Sequence, residues 1–382
     1  MNVAGLKSIP RRPPVILTSL LIVAVLAFLG VNRLVNRFRE QEKALARHLY
    51  DRGLKAQSTG NPEAAVRYYR AALGYNHDNF QYQLSLARAL RDTGRTPEAE
   101  AYLIRLWEGA PQEGAVNLAL GRLYAREQLF DKAVQYYHNA IYGFWPSDAE
   151  VKRRDTQFEL IEFLLQHNAY PQAQAELITM ASALPREPSL RLRVAGLFAR
   201  AQDNGHALEQ YQDILGSERD MPAALAGAGE AAFQLGRYRT AQGYMQSAVR
   251  VDPKNEHARL LLETATQVLQ ADPFARRLSD AERRQRAAAA FRRAGERLQS
   301  CAGSQGIDLA PQSPSTGLPS LKARWLEAEP KLAKRHTSVN ALDALMNLVF
   351  EIEQQTQATC GSPNSLDQAL LSLSREPAGV DR

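Results

Sequence analysis

Residues 61–76 read NPEAAVRYYRAALGYN, residues 129–146 read LFDKAVQYYHNAIYGFWP, and residues 237–253 read RYRTAQGYMQSAVRVDP. Aligned, the three stretches place alanine at 65, 133 and 241, and working outward from them uncovers a register. The full alanine column is Ala65, Ala99, Ala133, Ala173, Ala207 and Ala241, with separations of 34, 34, 40, 34 and 34. Twelve residues earlier runs a small or apolar column: Gly53, Ala87, Gly121, Ile161, Ala195 and Gly229. A bulky column stands at Tyr69, Leu103, Tyr137, Leu177, Tyr211 and Met245, and a further one at Ala72, Leu106, Ala140, Met180, Ile214 and Ala248. A fixed period near 34 residues is the mark of stacked supersecondary units. Small residues are needed where two antiparallel helices approach closely, and bulky ones fill the groove between hairpins. Gly60, Gly94 and Gly236 are placed to end first helices, because glycine reaches the left-handed region at little cost. Pro111, Pro185 and Pro253 close several units.

This pattern resembles the tetratricopeptide repeat family over residues 46–255, with units near 46–79, 80–113, 114–147, 154–187, 188–221 and 222–255. The expected fold is all-α: a right-handed solenoid of about six helical hairpins, with an N-terminal transmembrane helix and a C-terminal helical region. Units four and five match less well, since Ile161 and Met180 stand where small residues are usual. The six extra residues between units three and four, around Pro146 to Arg153, read as a longer loop or an extended helix end.

The resemblance implies a concave groove lined by first helices and open to a protein segment. Carried over, its candidates are Tyr50, Leu54, Leu84, Arg88, Arg91, Leu118, Arg122, Arg126, Phe158 and Phe233. Four arginines in units two and three suit carboxylates, because a guanidinium is a planar two-pronged donor. An acidic or C-terminal carboxylate-bearing partner is one reading; solvated surface arginines are the other. The clamp by which some relatives hold chaperone tails is not repeated: Tyr50, Leu54, Ser85 and Ala115 occupy its positions.

Upstream, Val15–Val31 (VILTSLLIVAVLAFLGV) carries no charge. Its helix would be about 26 Å long, near the lower limit for a membrane span. A signal anchor over 13–31 is expected, following a short tail at 1–12 and leading into a juxtamembrane helix at 32–45. Cleavage after Val25-Leu26-Ala27 is the alternative. Lys7, Arg11 and Arg12 favour a cytoplasmic N terminus; Arg33, Arg37 and Arg39 oppose it. The expectation is a single pass through the inner membrane with the repeats outside the cytoplasm.

Downstream, 256–271 reads as a capping helix, 274–300 as a basic helix, 302–320 as a flexible loop and 321–375 as further helices. The basic helix could meet anionic lipid or nucleic acid; a solvated surface is the plainer reading, since few aromatics interleave for base stacking. Cys301 and Cys360 each close a helix and could form one disulfide in an oxidising compartment, or remain two thiols.

No catalytic motif, cofactor fingerprint or metal-ligand spacing occurs, and the seven histidines are scattered. The chain of 382 residues is 45% hydrophobic and 23% charged with net charge +6, which is ordinary globular composition and only mildly basic. The function expected is a non-catalytic, membrane-anchored scaffold that assembles or recruits an envelope complex through one or more protein partners. The alternatives are an auxiliary subunit of a glycan synthesis or export enzyme, whose aromatic platforms would be Tyr50, Phe158 and Phe233, and a cleaved, secreted form.

Overall fold

The computed structural model describes residues 13–275, 277–310, 317–332, 339–361 and 365–374, with backbone only at 13–17, 331, 332, 339 and 365. The expected tail at 1–12, the middle of the expected loop (311–316) and His336 lie outside the described residues. Among the described residues there are seventeen helices and no strand. The chain divides into two compact units, Met1–Phe163 and Leu164–Arg382.

In the first unit, α1 (Pro13–Ser58) packs on α2 (Pro62–Tyr75), α3 (Phe80–Asp92) on α4 (Thr96–Gly109), and α5 (Gly114–Arg126) on α6 (Phe130–Ile141). Successive hairpins stack in chain order through α2 against α3 and α4 against α5. The segments expected as anchor, juxtamembrane helix and first repeat helix form one uninterrupted α1. This is the one described helix long and apolar enough to cross a membrane, and its apolar part is wholly exposed. α7 (Ala149–Gln166) begins in this unit after an elbow at 142–148. There Gly114 N donates to Phe144 O at 2.8 Å and Phe144 N to Gln112 O at 2.7 Å. Trp145 fills the space beside Gly114 and donates to Ala140 O at 2.9 Å. The extra residues thus form a tied elbow, and α7 is also longer than its counterparts, 18 residues against 13 in α3 and α5.

In the second unit, α8 (Tyr170–Ala183), α9 (Pro188–Arg200), α10 (Asn204–Ser217), α11 (Pro222–Gln234), α12 (Tyr238–Val251) and α13 (Glu256–Ala271) again pack in chain order. After them, α14 (Asp280–Gln305), α15 (Leu318–Leu332), α16 (Val339–Cys360) and α17 (Ser365–Ser374) build a core on Phe291, Leu298, Trp325, Val349, Ile352 and Leu370. The basic helix starts later than its charge run, because Ser279 and Glu282 form a capping box. It also runs past the expected loop start, ending at Gly306 (φ 65°).

Every member of the four sequence columns is buried. The small column meets the bulky column inside a hairpin: a Cβ on Gly53 would collide with the Tyr69 ring, and one on Gly229 with the Met245 side chain. Each first helix ends in one geometry. The residues Gly60, Gly94, Gln128, Asn168, Gln202 and Gly236 all have positive φ, between 56° and 77°. The next N–H reaches back five residues at 2.9 Å in every case, from Asn61 to Ala56, Arg95 to Leu90, Leu129 to Tyr124, Ala169 to Leu164, Asp203 to Phe198 and Arg237 to Ala232. That is the Schellman closure of a helix C-terminus.

Candidate functional site

The predicted groove residues of the first unit lie on α1, α3, α5 and α7, and the structure separates them into three kinds. Leu84 and Phe158 are each only 2% exposed. They are interior packing residues and are not presented to a partner, which corrects their place among groove residues.

Tyr50 is half-buried, stacks on Tyr82 with ring centroids 4.6 Å apart, and shares a hydrogen bond with Ser85 across 3.1 Å. It closes one end of the face rather than offering a free aromatic platform. Behind it, burial and the neighbouring Tyr50 push the Tyr69 phenol up to about 12.

The four arginines form a ladder between first helices. Arg122 on α5 grips Glu159 on α7 in bidentate fashion, with contacts of 2.8, 3.1 and 2.8 Å. Glu159 also accepts the Tyr137 hydroxyl at 2.8 Å. The hydrogen bond to Glu159 holds the Arg122 guanidinium above its ordinary range despite partial burial. Arg91 pairs with its neighbour Asp92 at 2.7 and 3.0 Å. Arg126 is exposed and donates to Arg91 O at 2.6 Å, reaching from α5 back to α3.

Arg88 is the exception. It is half-buried, and among the described residues its single bond to protein is a long one, 3.5 Å to Ala115 O. Its Nε is buried with no partner. Among the described residues no carboxylate pairs with it, and burial, with Arg122 and Arg91 beside it, lowers its pKa. The result is a polar face on which Arg122 and Arg91 are paired with carboxylates and Arg88 is not. Glu159 is the functional neighbour that sequence reasoning missed. In register it falls on Asp51, Ser85, Ala119, Arg193 and Gly227 of the other units, so the column itself gave no clear signal.

In the second unit, Phe233 is half-buried, stands edge-on to Tyr238 at 5.2 Å, and packs against the core of the C-terminal helices. Tyr238 donates to Ser372 O at 3.0 Å, so α17 is tied beside Phe233, and Phe233, Tyr238, Gln368 and Ser372 line one cavity. Nor is the basic helix simply solvated: Arg293 and Arg297 bind the buried Asp367 at 2.6 to 3.1 Å, and Arg286 donates to Leu269 O and Asp272 O. Cys301 and Cys360 are bonded, with Cα atoms 5.8 Å apart, inside the usual disulfide range. Among the described residues no cluster of His, Cys, Asp and Glu is placed to hold a metal ion.

The sequence profile of the tetratricopeptide repeat family matches residues 50–112 and 86–149. Solved structures similar to the chain include YrrB, a tetratricopeptide repeat protein with an unusual peptide-binding site (15% identity, TM-score 0.38, covering 50% of this chain and 95% of that one). Another is PilF of Pseudomonas aeruginosa (17% identity, TM-score 0.38, covering 58% and 96%). A third is PilW, a type IV pilus biogenesis factor (15% identity, TM-score 0.38, covering 57% and 98%). No curated protein matches the sequence at a significant level.

Proposed function

The chain carries tetratricopeptide repeats, and from that premise we propose that it is a membrane-anchored interaction scaffold whose first unit captures a carboxylate-bearing segment of a partner protein. The observation that carries this reading is Arg88. A guanidinium taken partly out of water without a carboxylate in direct contact is costly. A carboxylate docking across Arg88 would make charge-assisted, two-pronged hydrogen bonds and fill the site that Ala115 O only grazes. Arg122, already neutralised by Glu159, supports the face without competing for the ligand.

The membrane part of the proposal rests on α1. Its exposed apolar length suits a single pass, Lys7, Arg11 and Arg12 favour a cytoplasmic N terminus, and the Cys301–Cys360 bond suits an oxidising exterior. The repeats would then stand outside the cytoplasm and recruit or assemble an envelope complex. A sugar-chain groove is less well supported, because Phe158 is buried and Tyr50 is already stacked on Tyr82.

A photoreactive residue in place of Arg126, in membranes from producing cells, tests the reading. Covalent capture of a protein partner that disappears in an Arg88→Ala background is the expected result. Capture that persists unchanged in that background would overturn the role of Arg88.

A further inference from the structure

Between the membrane span and the first hairpin, α1 runs naked. Every residue from Val31 to Leu45 is exposed, and the first buried residue is Ala46, where α2 begins to pack. An α-helix advances about 1.5 Å per residue, so this exposed stretch is about 21 Å long. It is not polar all round. Val31, Leu34, Phe38 and Leu45 recur at spacings of three, four and seven, which are the a and d positions of a heptad. Leu34, Phe38 and Leu45 are 57%, 61% and 42% exposed. Lipid cannot cover all of them. A hydrocarbon core about 30 Å thick takes about 20 residues of helix, which a span beginning near Val15 exhausts by Leu34. Phe38 stands at the headgroup level, and Leu45 is beyond it, in water.

We propose that residues 31–45 pair two copies of this chain in a parallel two-stranded coiled coil that starts in the last turn of the membrane span and continues above the membrane; the inference rests on the anchored reading given above. Two copies anchored by the same N-terminal helix must run parallel. A parallel pair sets each a and d residue against its own counterpart, so the stripe is complementary to itself. The flanking charges agree. With Phe38 at a, Arg37 falls at g and Glu42 at e. In a parallel pair g meets the e residue five positions on in the partner, so Arg37 faces Glu42 of the second copy, twice by symmetry. Among the described residues neither is ion-paired within its own chain, whereas Glu40 and Lys43 on the outer face pair with each other at 3.0 Å. Gln41 is the one polar member of the seam and can hydrogen-bond its counterpart, which fixes register at some cost in stability. The pairing would present two Arg88 faces to one partner complex and so raise its apparent affinity by avidity.

The test is disulfide trapping of the full-length protein in its membranes. Leu45→Cys, in the seam, and Lys43→Cys, on the outer face, are oxidised in parallel, with the unsubstituted chain as control. Leu45→Cys should give a dimer band about tenfold stronger than Lys43→Cys, as heptad geometry requires. Adding Arg37→Glu should weaken that band, and adding Glu42→Arg to the same chain should restore it. Equal trapping at both positions, or none while the protein stays in alkali-washed membranes, overturns the coiled coil alone. Loss of the protein from those membranes overturns the anchored reading on which the coiled coil rests.

Discussion

The ring of Tyr69 occupies the space that a side chain on Gly53 would need. Sixteen residues separate them, the same interval that separates Gly121 from Tyr137 and Gly229 from Met245. Tyr69 is fully buried there, and its hydroxyl donates to Gln57 at 2.9 Å. Gly53→Ala should therefore destabilise the first hairpin by about 1–3 kcal/mol, the usual cost of overpacking. Gly74→Ala is the matched control. A Cβ at that helical position meets nothing, so it should stabilise by about 0.5–1 kcal/mol. Thermal unfolding of both variants distinguishes them by sign, and two shifts of the same sign would contradict the packing.

Gln128 and Gln202 hold positive φ, 59° and 61°, where the equivalent positions at 60, 94 and 236 carry glycine. A side chain in the left-handed region costs about 1–2 kcal/mol, partly offset by glycine's greater freedom in the unfolded chain. Gln128→Gly and Gln202→Gly should each raise stability by about 0.5–1 kcal/mol. Denaturant midpoints that move down instead would show that the glutamine side chains hold the turns.

Glu353 on α16 is buried, and both its oxygens lack hydrogen bonds although Arg297 Nε lies 3.1 Å away and bonds Thr356 instead. Burial, then the Asp367 carboxylate, raise its pKa from 4.5 to about 8, against the pull of Arg297 and Arg293. In this window the folded state holds a proton that the unfolded state has released. The contribution of Glu353 to stability is thus intact below pH 4.5 and is lost progressively as pH rises towards 8. Glu353→Gln should flatten that decline. Melting curves at pH 5 and pH 8 check it, and an unchanged slope would show that Glu353 ionises freely in the folded protein.

The Cys301–Cys360 bond closes a segment of 59 residues and ties α14 to the end of α16. Its removal should cost about 4 kcal/mol in the chain-entropy account. Reduction should therefore loosen α14 to α17 while the repeats stay folded, and limited proteolysis with and without reductant reads this directly. Cleavage that spreads equally through the repeats would contradict it.

How much of this was legible in the sequence depended on whether a feature repeats. The buried columns and the hairpin period were visible because six copies share one packing problem. The three glycine caps were visible by residue type, but Gln128, Asn168 and Gln202 hold the same conformation without the residue that announces it. The ion pairing of the predicted groove arginines was not legible. Nothing local to Arg122 says that Glu159, thirty-seven residues on, will meet it, nor that Arg88 will be left without a carboxylate. Leu84 and Phe158 were misplaced because a helix shares one stripe between its core and its groove edge. The basic helix looked solvated because Asp367, its buried counter-charge, lies seventy residues or more away in sequence.

On the proposal above, Arg88 receives a carboxylate of the partner. Titration of the purified repeats with fluorescent acidic peptides, each bearing a free C-terminal carboxylate and each matched to its amidated twin, tests it most directly. Arg88→Ala should weaken binding of the acid form about tenfold or more, and Arg126→Ala by no more than about twofold, as expected for removing a partly buried rather than a solvated charge. Equal losses in the two variants, or an Arg88→Ala chain that binds as tightly as the unsubstituted one, would contradict the account.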